Sequence, residues 1–211
     1  MATDPVPAAA PIAASDRRRR IVSTAAALFD SRGYHSTSME DIAVSVGLAK
    51  PTLYHYFRGK DEILFEIHTE MIDRILSAHE HRQAASPDAW GRLLKGLIGD
   101  VVALMQTHPG HLRVFFEHQR ELPDELKRTI RAKRNRYRDH VQATIEGGVA
   151  SGEFRAVDPQ LATLAVLGVA NWTYQWLRPG SRYAAEEVTE AFYGLLLDGL
   201  ASAPAGSGGP R

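Results

Sequence analysis

Residues 38–60 read SMEDIAVSVGLAKPTLYHYFRGK, and the order of punctuating residues in this stretch decides the fold. Ser38 followed by Asp41 is a capping-box pattern, in which the two residues satisfy each other's backbone N–H groups at a helix start. Ile42, Ala43 and Val46 then fall on one side of a short helix, which Gly47 ends by taking the left-handed conformation. Pro51 stands in the first turn of the next short helix, where its missing N–H costs little. Upstream, Ile21, Ala25, Leu28 and Phe29 mark one face of a helix from about Asp16 to Arg32, with Gly33 as its cap.

Helical period continues to the C-terminal end. A long helix from Asp61 carries Ile63, Leu64, Ile67, Met71, Ile75 and Leu76 inward. Another runs from Trp90 to Met105 and is broken at His108-Pro109-Gly110-His111. A helix with Leu112, Phe115 and Phe116 ends near Pro123, and one with Leu126, Ile130, Tyr137, Val141 and Ile145 ends around Gly152. Asp158-Pro159 opens a helix that reaches Trp176 before Arg178-Pro179-Gly180 stops it, and the last has Val188, Phe192, Leu195 and Leu196 on one face. No segment alternates as a strand. The expected fold is all-α with about nine helices, divided into a disordered arm (1–15), a helix-turn-helix domain (16–60), a larger helical bundle (61–202) and a disordered tail (203–211).

Composition excludes several classes. The 211 residues contain no cysteine, which removes disulfides, thiolate zinc sites and a cysteine nucleophile. Apolar residues make up 44%, enough for a core, yet no run approaches a membrane span. The opening MATDPVPAAAPIAAS lacks the layout of a signal peptide, so a cytoplasmic protein is expected. Net charge is zero, but residues 1–60 hold eight Lys/Arg against five Asp/Glu, an asymmetry that permits a nucleic-acid-binding face. No nucleophile elbow and no glycine-rich phosphate loop after a strand is present, so an enzyme is not expected. His108 and His111 flank a Pro-Gly turn without the carboxylate or cysteine of a metal site, and no cofactor is expected.

Two short helices joined at a glycine and backed by a third have the geometry that sends a recognition helix into the major groove. The residues themselves add to this. Ile21, Ala25, Ala26, Leu28, Phe29, Gly33, Tyr34, Thr37, Ser38, Ile42, Ala43, Gly47, Leu48, Thr52, Leu53, Tyr54, Tyr56, Phe57, Lys60 and Leu64 resemble the DNA-binding domain of the TetR family, most specifically in Leu53-Tyr54-His55-Tyr56-Phe57 followed by Lys60.

The resemblance implies a ligand-responsive repressor that binds a palindromic operator as a homodimer. Lys50, Pro51, Thr52 and His55 are then candidates for base edges. Ser38, at a helix start, is a candidate for phosphate, as are Tyr54, Tyr56 and Lys60, and Thr37 is a further candidate DNA contact. The run Arg17 to Arg20, chiefly Arg19 and Arg20, is a candidate arm along the backbone or minor groove. Glu40 is a departure, because some members carry a basic residue near that position, and a carboxylate there repels phosphate unless it reads a cytosine amino group.

For the C-terminal half the resemblance implies an effector pocket and dimerisation through the last two helices, where Gly168, Gly194 and Gly199 permit close crossing. Phe115, Phe116, His118, Trp172, Gln175 and Trp176 supply aromatic and polar groups suited to an effector cleft. The segments Asn171–Gly180 and Phe116–Leu122 are similar to those of TetR-type repressors of lipid and sterol catabolism, which respond to acyl-CoA thioesters. Lys127, Arg131, Arg134 and Arg138 form one stripe at helical spacing; Arg134 and Arg138 are candidates for CoA phosphates, and a solvated basic face is the other reading. Two rival functions remain: a repressor of drug-efflux genes, for which Glu117 is the obvious partner of a cationic compound, and a helical ligand-binding protein without DNA binding.

Overall fold

The computed structural model describes residues 14–200, apart from the side chain of Leu200. It is all-α: α1 (Ala14–Arg32), α2 (Met39–Val46), α3 (Lys50–Tyr56), α4 (Lys60–Ala85), α5 (Trp90–Thr107), α6 (Pro109–Glu117), α7 (Asp124–Ser151), α8 (Pro159–Trp172) and α9 (Ala185–Leu200). Two single 3-10 turns, Gln119–Glu121 and Thr173–Gln175, lie between them. Residues 1–13 of the expected arm, residues 201–202 of the expected bundle and the expected tail lie outside the described residues. Ala14 and Ser15, assigned to the arm from sequence, belong to α1.

The boundaries follow from local chemistry. Ser38 Oγ accepts from the Asp41 N–H at 3.1 Å, and the Asp41 carboxylate accepts from the Ser38 N–H at 2.8 Å, so both halves of the capping box are present. That contact also holds the Asp41 carboxyl below its usual range. Gly47 caps α2 at φ 75°, and its N–H reaches back to Ala43 and Val44. Asp158 caps α8 by accepting from the Leu161 N–H at 2.9 Å, with Pro159 next in the chain.

Two helices end earlier than the hydrophobic period suggests. The helix expected to reach Trp176 stops at Trp172, because Thr173 tightens the chain into a 3-10 turn by donating its hydroxyl to the Ala170 carbonyl at 2.6 Å. The helix expected to end near Pro123 stops at Glu117. Pro123 forces Leu122 into the extended region (φ −67°, ψ 143°), leaving room before it for a single 3-10 turn.

The apolar faces close into two cores. In the first, Ile21, Ala25 and Phe29 of α1 meet Ile42, Leu53 and Phe57 from α2, α3 and the residue after it. Ile63, Leu64 and Ile67 of α4 complete it, and Val114, Leu122 and Ile130 cap it from the C-terminal side. The second core gathers α4 from Met71 onward with α5 to α9. Burying each large apolar side chain contributes about 1.5–3 kcal/mol relative to exposure. The expected division at residue 60 therefore falls three α4 core side chains early, and α4 is common to both cores. Among the described residues no helix is long and apolar enough to cross a membrane.

Candidate DNA-reading head and effector chamber

The seven residues of α3 turn only Leu53 fully inward. Lys50, Pro51, Tyr54 and His55 stand exposed on the opposite side, and Thr52 is half-buried. This is the surface a recognition helix offers to base edges. Lys50 Nζ lies 3.1 Å from Glu40 Oε2 of α2, so the carboxylate that departs from the family pattern is spent, in the free protein, on steadying this lysine. Tyr56 is half-buried, its ring edge-on to His55 with centroids 5.9 Å apart.

Several of the proposed DNA contacts have partners within the protein. Thr37 is buried, and its hydroxyl donates to the Gly33 carbonyl at 2.9 Å; the side chain faces the protein because it closes the 33–37 loop. Lys60 Nζ donates to the Tyr34 carbonyl at 2.7 Å and lies 4.5 Å from the centre of the Tyr34 ring, bracing the same loop. Within the basic run, Arg18 is structural: it pairs with Glu66, donates to the Tyr56 carbonyl at 2.9 Å and covers the Phe57 ring at 4.1 Å. Arg19 and Arg20 are exposed, with Arg19 paired to Asp16. Ser38 is exposed at the start of α2.

Behind the head, α4 to α8 enclose a cavity of about 210 Å³. Its walls are apolar: Ile72, Ile75, Val101, Leu112, Phe115, Phe116, Tyr137 and Leu167. Its polar edge is Arg134, Asn135 and Arg138 of α7 with Asn171 of α8, and among the described residues no acidic side chain lines it. Tyr137 turns its hydroxyl away to the Leu97 carbonyl at 3.0 Å, and burial pushes its pKa up. The Arg134 guanidinium lies over the Phe115 ring at 4.5 Å and has its pKa lowered by burial. Beside Phe115, at 5.2 Å between ring centroids, His68 is fully buried and held neutral. Burial first, and then the charge of Arg134, bring its pKa down to about 3.

The chamber brings together half of the effector set expected from sequence. Phe115, Phe116, Arg134 and Arg138 line it; His118, Trp172, Gln175 and Trp176 do not. His118 faces the head, with its ring 6.3 Å from that of Tyr34. In α8, Leu167 and Asn171 are one turn apart and point to the chamber, so Trp172, about 100° further round the helix, points away. The 3-10 turn then carries Gln175 outward and leaves Trp176 edge-on to Phe192 of α9. The chamber residues that sequence reasoning missed are Asn135 and Asn171 above all; Arg134, Asn135 and Arg138 share one edge of α7, the one signal that pointed to Asn135. Of the arginine stripe, Lys127 pairs with Asp124 and Arg131 is exposed outside the chamber.

A separate apolar trough runs between α8 and α9, lined by Gly168, Val169, Trp172, Phe192, Leu195 and Leu196. Trp172 is 63% and Leu195 74% exposed, and Leu161 and Leu164 stand out on the same helix pair. A side chain built at Gly168, Gly194 or Gly199 meets nothing within 4 Å. Among the described residues no group of three metal-ligating side chains gathers, at His108 and His111 or elsewhere.

An exposed recognition helix set on a bundle with an internal chamber defines a helix-turn-helix regulator with its own ligand-binding domain. Comparison with known proteins agrees: residues 21–67 match the tetR family of bacterial regulatory proteins, and residues 88–200 match the C-terminal domain of tetracyclin repressor-like proteins. The chain belongs to the TetR family of transcriptional regulators, which act by binding rather than by catalysis. The transcriptional repressor KstR2 of Rhodococcus jostii is 28% identical over 190 residues, covering 89% of this chain and 93% of that one. Among solved structures, the TetR-family regulator PfmR of Thermus thermophilus is 32% identical with a TM-score of 0.79, over 85% of this chain and 97% of that one. AibR, solved in complex with isovaleryl coenzyme A and operator DNA, is 26% identical with a TM-score of 0.76, over 86% of this chain and 98% of that one.

Proposed function

We propose that this protein represses transcription by holding a palindromic operator as a homodimer, and releases it when an effector with a small apolar body and an anionic part fills the chamber. An acyl-CoA thioester is the class that fits. The carrying observation is the lining itself: apolar walls meeting two arginines and two asparagines, with no carboxylate. Such an edge takes an anion and has nothing to neutralise a cation. It disfavours the drug-efflux reading, since Glu117 is exposed and outside the chamber.

Size sharpens the class. An apolar cavity of about 150 Å³ accommodates benzene. The chamber, at about 210 Å³, suits a short branched or single-ring acyl group rather than a fused sterol skeleton. The nucleotide part of a thioester then lies outside, past Arg138. That AibR binds isovaleryl coenzyme A supports this reading.

On the DNA side, Lys50, Pro51, Thr52 and His55 approach bases, while Ser38, Tyr54, Arg19 and Arg20 approach phosphates. The α8–α9 trough is the dimer face, which sets two recognition helices on successive turns of one duplex. The helical-carrier reading leaves the exposed side of α3 without a purpose.

The test is fluorescence anisotropy of the purified protein on its own upstream DNA, at several salt concentrations, with and without isovaleryl-CoA. Selective, salt-sensitive binding that the thioester reverses is the expected result. Selective binding indifferent to a panel of short acyl thioesters overturns the effector class and keeps the repressor. Failure to select any sequence from random DNA overturns the repressor.

A further inference from the structure

Beyond α4, a second physical route joins the chamber to the head. It starts at Arg134. Among the described residues no carboxylate pairs with this guanidinium, and its one hydrogen-bond acceptor is the neutral amide oxygen of Gln119. Gln119 opens the 3-10 turn, and Glu121 closes it. Glu121 Oε2 in turn lies 2.7 Å from Nε2 of His35. His35 belongs to the 33–37 loop, whose next residue, Ser38, is the N-cap of α2. In the same loop the Tyr34 carbonyl receives Lys60, the first residue of α4. A parallel strut comes from α6, where Phe115 and Phe116 line the chamber and Arg113 meets Asp30 of α1 at 3.0 Å. Both struts end within a few residues of the loop that sets where α2 begins.

The geometry points to Arg134 as the sensing residue of the chamber and to the turn 119–121 as a relay to the DNA-reading head. An anionic oxygen of the effector draws the guanidinium off Gln119; the turn loosens, Glu121 leaves His35, and the 33–37 loop shifts with α2. The inference rests on the proposed reading that this chamber holds the effector. The exchange is favourable because a carboxylate or phosphate pairs its full charge with the guanidinium and can bond it bidentately, whereas an amide oxygen offers the cation a single dipole. It couples to DNA because the effector favours the loosened state over the braced one. A free carboxylate on a short acid and the phosphates of a CoA thioester carry the same chemistry, and the relay accepts either.

The test uses the full chain as wild type, Arg134→Gln, Glu121→Gln and the double variant, with Arg134→Lys to hold the charge should Arg134→Gln fold poorly. Without effector, Arg134→Gln is expected to speed amide hydrogen exchange at Thr37 and in residues 119–121, and to weaken operator binding about tenfold. Glu121→Gln is expected to weaken operator binding by a similar factor, and the double variant by no more than either single one, because both break one chain of contacts. Isovalerate, isovaleryl-CoA and coenzyme A are then titrated onto the wild-type complex. Release by isovalerate assigns the sensed anion to a carboxylate, and release by the thioester but not the acid assigns it to the CoA phosphates. Full additivity of the two substitutions, unchanged exchange in the 33–37 loop, or release undiminished in Arg134→Gln each overturns the relay while leaving the repressor reading intact. A wild type with no operator selectivity overturns both.

Discussion

Arg18 in the head and Arg134 in the chamber each lie over a phenylalanine ring, at 4.1 Å and 4.5 Å. Arg18 also meets the Glu66 carboxylate, and the contact is closed: α1, the end of α3 and α4 are tied by one side chain. Among the described residues, the one hydrogen-bond acceptor of Arg134 is an amide oxygen. The same contrast holds at larger scale. In the head, apolar residues other than Val44 and Tyr54 are largely buried, the Thr37 hydroxyl is spent on a loop carbonyl, and Lys50 and Glu40 steady each other. The C-terminal region leaves two things incomplete, a cation at the edge of an apolar chamber and an apolar trough along α8 and α9. Where a region is closed, a substitution costs stability. Where it is open, a substitution costs a partner.

The largest consequence of that distinction is expected at Leu195. It is 74% exposed, so replacing it with glutamate removes little packing from the monomer while placing a charge in the proposed dimer face. Leu195→Glu should keep the far-ultraviolet circular dichroism of the wild type and sediment as a monomer. Operator affinity should fall about a hundredfold, since linked half-site binding contributes factors of about 10² to 10⁴. An unchanged dimer in sedimentation would move the interface elsewhere.

A middle-sized effect separates the regions by pH. The buried neutral histidines His68, His79 and His111 all sit on α4 or α6, whereas His35 and His55 of the head are exposed. Burial is the first cause in each, bringing His68 to about 3 and His79 and His111 to about 4. Their folded pKa values lie below the unfolded value of 6.5, so between roughly pH 6.5 and 4 the unfolded chain binds more protons. The stability they contribute is therefore complete above about 6.5 and is lost as pH falls. Each group's slope approaches about 1.4 kcal/mol per pH unit at most. Asp100, whose carboxyl is raised by burial, acts in the opposite sense nearer its own range, so the slope is best measured from pH 7 to 5. The thermal midpoint should drop across that interval, and His68→Leu should flatten the drop. A midpoint independent of pH would mean these imidazoles protonate without unfolding the chain.

How much of this could be read from the residues alone depended on whether the signal was local. Ser38, Asp41, Gly47 and Pro51 act on neighbours within a few positions, so the head was legible down to its caps. The α7 edge of the chamber was legible too, because Arg134 and Arg138 repeat at one turn. The α8 edge was not. A one-residue difference in phase decides whether Asn171 or Trp172 faces inward, and apolar Trp172 looks like the better core residue until the partner-ready trough outside is seen. Thr37 misled for a related reason: a hydroxyl beside a helix start suits phosphate and loop closure equally, and only the position of the Gly33 carbonyl decides between them.

That ambiguity yields the smallest and sharpest comparison, between adjacent hydroxyls. Thr37 is buried and bonded inward, while Ser38 is exposed and caps α2. Ser38→Ala removes the cap, at a cost of about 1 kcal/mol. It also removes a hydroxyl from the proposed phosphate contact, so operator affinity should fall several-fold beyond what the stability loss explains. Thr37→Val keeps the shape of the side chain and deletes the hydroxyl that bonds the Gly33 carbonyl and reaches that of Leu28. It too should cost about 1 kcal/mol, near the ordinary net value of one hydrogen bond. The difference lies on DNA. With both proteins fully folded at low temperature, Ser38→Ala should weaken operator binding more than Thr37→Val, whose effect is confined to loosening the 33–37 loop. Equal loss on DNA for the two would mean that the 33–37 loop acts on the operator through its shape alone, and that the exposed hydroxyl of Ser38 touches nothing.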